Sequence, residues 1–160
     1  MPLARLKKLL DSENVKYVAI SHSPAYTAQE IAASAHIAGG ELAKTVMVKI
    51  DGEMAMAVLP APLRVDLECL QDETGAQQVE LAGEEEFERL LPGCELGAMP
   101  PFGNLFNMQV FADRSLSDHA EIAFNAGSHI ELVRMGYSDF ERLVRPKLTK
   151  FGVGVTTESE

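Results

Sequence analysis

The chain has 160 residues, 46% of them hydrophobic and 24% charged, which is one domain's worth of globular sequence and excludes collagen-like, disordered and disulfide-scaffold proteins. A net charge of -10 argues against a protein that coats long stretches of nucleic acid, whose affinity comes from many Lys/Arg–phosphate contacts. Contact with only the end of a nucleic acid needs few such contacts and stays open.

The longest apolar run, residues 54–63, is about half of the ~20 residues that span a bilayer, and Pro60 and Pro62 break it. The basic start at Arg5, Lys7 and Lys8 leads through Leu9-Leu10 into Asp11 rather than into a signal-peptide core. No membrane partner and a cytoplasmic location are therefore expected. Leu3, Leu6, Leu9 and Leu10 recur at helical spacing, predicting an opening amphipathic helix over residues 3–10. Residues 17–20 read as a short strand, closed by the turn chemistry of Ser21-His22-Ser23-Pro24. Thr27 with Glu30 forms a capping-box pair, so a helix should run towards Ile37 and stop at Gly39-Gly40.

Residues 44–60 read as a hairpin around Asp51-Gly52. A short helix over 65–70, a strand over 77–81 and an acid-led helix over 84–91 follow, the last ended by Pro92-Gly93. After a Gly/Pro-rich loop over 97–103, strands are expected at 109–112, 121–125 and 130–135. A closing helix should be capped by Ser138, carry Phe140, Leu143 and Val144 inward and stop before Pro146. Val46, Val48, Ile50, Phe87, Leu90, Phe111, Ile122, Phe124 and Leu132 are the expected core. Helices and strands mix without strict βαβ alternation, which predicts an α+β fold with a mixed, largely antiparallel sheet. One compact domain should occupy residues 1–150, with 151–160 as a flexible tail.

Conventional catalytic signatures are absent: the sequence has no GxSxG, P-loop, GxGxxG or HExxH pattern. The four histidines show no i, i+4 pair, so no metal site is expected. Cys69 and Cys94 stand far apart with no CxxC spacing and read as packing residues. Three places invite chemistry. Lys44 joins the Gly39-Gly40 segment to a strong strand, which would hold its ammonium at the edge of a rigid element. In Gly97-Ala98-Met99-Pro100-Pro101-Phe102-Gly103, two glycines and two prolines restrict the backbone and let a ligand approach peptide N–H groups, as in a nest or oxyanion hole. Asn125-Ala126-Gly127-Ser128-His129 sets polar groups directly after a strand, where ligands are often held. A solvated lysine, a rigid connector and a hairpin turn are the plain structural readings of the same residues.

Taken together, the His-Ser-Pro turn at 22–24, Ala43-Lys44-Thr45-Val46-Met47-Val48-Lys49, the GxxxP loop from Gly97 to Pro101 and Asn125-Ala126-Gly127 resemble the YbaK/prolyl-tRNA synthetase-associated editing domain family. The resemblance spans roughly residues 18–143. It implies a compact α+β domain with a mixed, curved sheet flanked by helices, and hydrolysis of the ester that joins a wrong amino acid to tRNA. Such domains act within a synthetase or in trans, and this chain looks like a free-standing member. The resemblance makes Lys44 the residue that holds the tRNA end and places Gly97 and Pro101 around the aminoacyl group. Asn125 and Gly127 fall at the family's small polar residue and glycine.

The implied catalytic set is Lys44, Gly97 and Asn125. The implied substrate-binding set is Thr45, Ala98, Met99, Pro100, Pro101, Phe102, Gly103, Gly127, Ser128 and His129. No cofactor or metal is implied. The expected partner is the acceptor end of an aminoacyl-tRNA carrying a small Ala- or Ser-like amino acid, with an aminoacyl-tRNA synthetase as a further partner. Some branches carry a carboxylate several residues after that glycine, whereas Ser128-His129-Ile130 offers none in register. Two other functions use the same residues: a non-catalytic module binding a small ligand or a synthetase, and a hydrolase of another ester or amide with His129 as base.

Overall fold

The computed structural model of the chain describes residues 2–21, 30, 37, 39–90, 93–95 and 97–154. The first helix, α1 (Pro2–Ser12), buries Leu6 and Leu10 as the leucine spacing requires. Strand β1 (Tyr17–Ser21) follows. The expected His22–Ser23–Pro24 turn and the helix from Thr27 fall outside the described residues. A 3-10 turn, Gly39–Glu41, leads into β2 (Ala43–Ile50), which pairs antiparallel with β3 (Glu53–Pro60). At their turn, Asp51 and Gly52 have φ of 49° and 84°, the doubly left-handed geometry whose twist matches that of the flanking strands.

Then come β4 (Leu63–Val65) and α2 (Leu67–Thr74). The helix expected from residue 65 starts later because Val65 is paired with Gly152 and the Asp66 carboxylate accepts the Cys69 N–H as the N-cap. Strand β5 (Val79–Leu81) and α3 (Glu84–Glu88) follow. Because α3 is shorter than expected, Leu90 lies beyond its end and is 47% exposed rather than core. The remaining elements are β6 (Gln109–Asp113), β7 (Glu121–Asn125), β8 (Glu131–Gly136), α4 (Tyr137–Val144), β9 (Lys147–Thr149) and β10 (Gly152–Gly154). Ser138 is not the cap of α4. Gly136, still paired with Glu121 in the sheet, occupies that position, and Tyr137 donates to Ala120 O at 2.9 Å.

The strands form a five-stranded mixed sheet in the order β5-β2-β3-β6-β9, a three-stranded antiparallel sheet β1-β8-β7 and a β10-β4 pair. Within the first, β3/β6 and β6/β9 are parallel. A parallel bridge between Leu42 and Ala123 joins the two larger sheets where β2 begins. Between them lies the main core, with Leu6 and Leu10 of α1, Phe140 of α4, and Met47, Met56, Val58, Ile122, Phe124 and Val133. Phe102 sits at its centre, 5.6 Å from the Phe124 ring and 5.7 Å from the Phe140 ring. The opposite face of the five-stranded sheet packs Val48, Ala57, Leu59 and Phe111 against Leu70 and Phe151. Neither Cys69 nor Cys94 is in a disulfide, and both are half-buried.

Residues 151–154 do not form the flexible tail expected for them: Phe151 is fully buried and residues 152–154 pair with β4. The anchor is Asp113, only 3% exposed. Its Oδ1 accepts the N–H groups of Phe151 at 3.0 Å and Gly152 at 2.7 Å, and its Oδ2 accepts from the Ser115 N–H and hydroxyl. Burial pushes this carboxyl up, but the hydrogen bonds from Ser115, Gly152 and Phe151 outweigh it, and the net shift is downward. The stabilisation is therefore complete above the unfolded carboxylate value of ~3.9 and is lost as pH falls through the lower native value. Asp113→Ala should destabilise the fold by ~3 kcal/mol or more, because it strands two buried N–H donors. Denaturant unfolding at pH 7 measures the loss, and the gap between variant and parent should narrow below pH 4.

Candidate active site

Alternation along β2 decides which way each expected site residue faces. Lys44 is half-buried beside Leu59, and burial lowers its pKa from the ordinary lysine value. Leu42 and Lys44 share one face of the strand. The parallel bridge between Leu42 and Ala123 sets the start of β2 beside β7, which ends at Asn125. Thr45 points the other way, across from Val58 into the main core, and its buried hydroxyl has no hydrogen-bond partner among the described residues. Its side chain does not share the Lys44 face, contrary to its expected place in the substrate pocket.

The GxxxP loop and the turn after β7 come together through backbone hydrogen bonds. Glu95 N–H donates to Gly127 O at 2.8 Å, and Gly127 N–H donates to Ala98 O at 2.8 Å. Gly97 has φ of 81°, in the left-handed region that side chains disfavour. A Cβ built there would stand 3.4 Å from His129 Cε1, so the Gly97 backbone and the His129 ring edge are neighbours on the exposed side. Ala98 N–H donates to Glu95 O, and Pro100 and Pro101 have no N–H. That leaves the N–H groups of Gly97 and Met99 without a hydrogen-bond partner among the described residues, in a loop whose backbone the prolines restrict.

The remaining expected site residues divide. Ala98, Met99, Pro100, Pro101 and Gly127 are buried. Phe102 and Gly103 belong to the core instead of the pocket: Phe102 is wholly buried among aromatic rings, and a Cβ at Gly103 would collide with the Met108 carbonyl and with Val110 Cγ2. Ser128 donates its hydroxyl to Glu131 Oε1 at 3.1 Å. Sequence reasoning missed Glu95, whose Oε1 accepts the His129 N–H at 3.0 Å. An isolated Glu beside a glycine loop carries no local signal, since its partner lies 34 residues away.

The aminoacyl-tRNA editing domain family matches residues 22–143. Among curated relatives, the multifunctional Ser/Thr-tRNA deacylase ProXp-y of Escherichia coli K12 is 30% identical, over 92% of this chain and 90% of its own. The prolyl-tRNA editing protein ProX of Acetoanaerobium sticklandii is 25% identical over 85% and 86% of the two chains. A solved structure of a trans-editing enzyme for prolyl-tRNA synthetase superposes with a TM-score of 0.81 at 20% identity, covering 96% of this chain and 98% of that one. With the glycine loop hydrogen-bonded to the turn after β7, and with the family match running through that loop, that turn and the strand that bears Lys44, the chain belongs to the aminoacyl-tRNA editing domain family.

Proposed function

We infer that the protein is a trans-acting aminoacyl-tRNA deacylase that hydrolyses the ester of a mischarged small amino acid. The observation that carries this reading is the hydrogen-bonded union of the 97–101 loop with the turn after β7, a strand bridged to the start of β2. The substrate's terminal phosphate pairs with the Lys44 ammonium, which orients the ester. Water attacks the carbonyl carbon, and the Gly97 and Met99 N–H groups receive the developing oxyanion. A substrate ribose hydroxyl or an ordered water takes the proton of the attacking water, and as the tetrahedral intermediate collapses the ester C–O bond breaks and the ribose oxygen leaves with a proton. Asn125, at the end of β7, contacts the same end of the substrate.

One missing methylene is worth only ~1–3 kcal/mol in a hydrophobic pocket, which is why a synthetase benefits from a separate site that removes small wrong amino acids. A 28% identical segment lies in the proline–tRNA ligase of Bacillus mycoides, matching 56% of this chain. It favours a synthetase of that class as the partner.

A panel of seryl-, threonyl- and alanyl-tRNAs set against free aminoacyl esters tests the reading. Turnover of the tRNA esters with little turnover of the free ones is expected. Equal turnover would make the protein a general esterase, and none at all would leave a binding module. Lys44→Arg should retain tRNA binding and lose about tenfold in rate, because a planar fork does not place its charge where a compact ammonium does. Equal single-turnover rates for the two side chains would count against positioning by Lys44.

A further inference from the structure

Asp113 ties together two stretches of chain that carry cations. Its Oδ1 accepts the Phe151 and Gly152 N–H groups and its Oδ2 the Ser115 N–H and hydroxyl. Arg114, which follows Asp113, and Lys150, which precedes Phe151, therefore line one groove of 490 Å³. Both are exposed, and among the described residues neither side chain has a carboxylate or hydrogen-bond partner. The Ser115 and Ser117 hydroxyls are engaged by Asp113 and by Arg114 O. In a chain with a net charge of -10, two unpaired cations lining one groove suit a phosphate.

That groove stands at the same end of the five-stranded sheet as Lys44. Thr45 pairs with Val58, Val58 with Ala112 and Ala112 with Leu148, one row across β2, β3, β6 and β9. Because β2 runs antiparallel to β3, while β6 runs parallel to β3 and β9 to β6, the start of β2 shares an end of the sheet with the ends of β6 and β9. Lys44 precedes Thr45 there, and Arg114 and Lys150 lie two residues beyond Ala112 and Leu148. Three strand-to-strand steps of ~4.8 Å make the row about 14 Å long, a distance that a few nucleotides of single strand span. We propose that the groove lined by Arg114 and Lys150 holds a backbone phosphate of the tRNA acceptor strand, a few nucleotides before the phosphate that Lys44 orients. The proposal rests on the deacylase reading and gives the site a hold on tRNA beyond the reacting end. Such a contact positions the nucleic acid without touching the ester.

Hydrolysis of the tRNA ester turned over fastest in the panel, followed over a range of salt concentrations, tests the proposal. Arg114→Ala/Lys150→Ala should raise KM about tenfold at low salt, move kcat by less than about twofold, and lower the slope of log KM against log salt by about one, as the loss of one phosphate contact does. Lys8→Ala/Lys16→Ala removes the same charge from exposed positions outside the groove and should keep KM within about twofold. Asp118 also lines the groove, so Asp118→Asn should lower KM. An unchanged KM and salt slope in a folded Arg114→Ala/Lys150→Ala protein that still hydrolyses the ester overturns the proposal and leaves the deacylase reading intact. An equal rise in Lys8→Ala/Lys16→Ala also overturns it, because overall charge rather than the groove would be the cause. Failure of the unaltered protein to hydrolyse any tRNA ester overturns the deacylase reading and this proposal with it.

Discussion

Lys44→Ala should lower aminoacyl-tRNA hydrolysis by at least ~100-fold, the scale of losing one well-placed electrostatic contact at a reacting centre, while the protein keeps its fold. Lys44 is half-buried, and burial depresses its pKa, so the charged form is less favourable in the folded chain than in the unfolded one. The sign for stability follows. A lowered lysine pKa means that the ammonium disfavours folding at neutral pH, and this penalty fades as pH rises through the ordinary lysine value of ~10.4. Lys44→Ala should therefore melt no lower than the parent at pH 7, apart from the packing lost with its methylenes against the sheet. A residue that opposes stability while supporting rate is what a functional position looks like. The rate should also fall at a less alkaline pH than an unperturbed lysine would give. Single-turnover hydrolysis and melting of the same preparation check both halves, and near-parental turnover in a folded variant would remove Lys44 from the mechanism.

Gly97→Val is expected to have the next largest effect on rate. The φ of 81° at Gly97 makes any side chain unfavourable by ~1–2 kcal/mol, and a β-branched one is held more tightly still. The added Cβ would stand 3.4 Å from His129 Cε1 and 3.8 Å from Nε2, before the two methyl groups are placed. The valine methyl groups therefore crowd the His129 ring edge. They also crowd the Gly97 N–H that is proposed to face the oxyanion. A rate loss of ~100-fold or more with a melting-temperature drop of a few degrees is expected, in proportion to ~1–2 kcal/mol for a domain of this size. Gly103 behaves differently, because there the clash is with the Met108 backbone inside the core and folding itself would suffer. If Gly97→Val melts far lower while each folded molecule turns over normally, Gly97 is a structural glycine.

What could be read from the sequence was what neighbouring residues decide among themselves. Asp51-Gly52 specifies a hairpin turn through its own backbone preferences, and the leucines of α1 specify a buried stripe by their spacing alone. The family pattern likewise rests on short local motifs, Lys44-Thr45, Gly97 to Pro101 and Asn125 to Gly127, which survive as words whatever surrounds them. The helix starts were less legible, since Gly136 rather than Ser138 ends up at the head of α4 because β8 is held in register with β7 to that point. Strands β9 and β10 escaped notice for a related reason. Each is three residues long, and their partners, in β6 and β4, lie far back in the sequence.

Only the tertiary structure decided which site residues meet. Strand alternation turned Thr45 into the core while leaving Lys44 on the face of Leu42, and the aromatic cluster drew Phe102 away from the loop it belongs to in sequence. The carboxylates of Asp113 and Glu95 acquired their roles from N–H groups 38 and 34 residues distant. A hydrogen bond across such a separation has no periodicity and no local propensity to announce it. Its geometry exists only once the sheets have brought the chain back on itself.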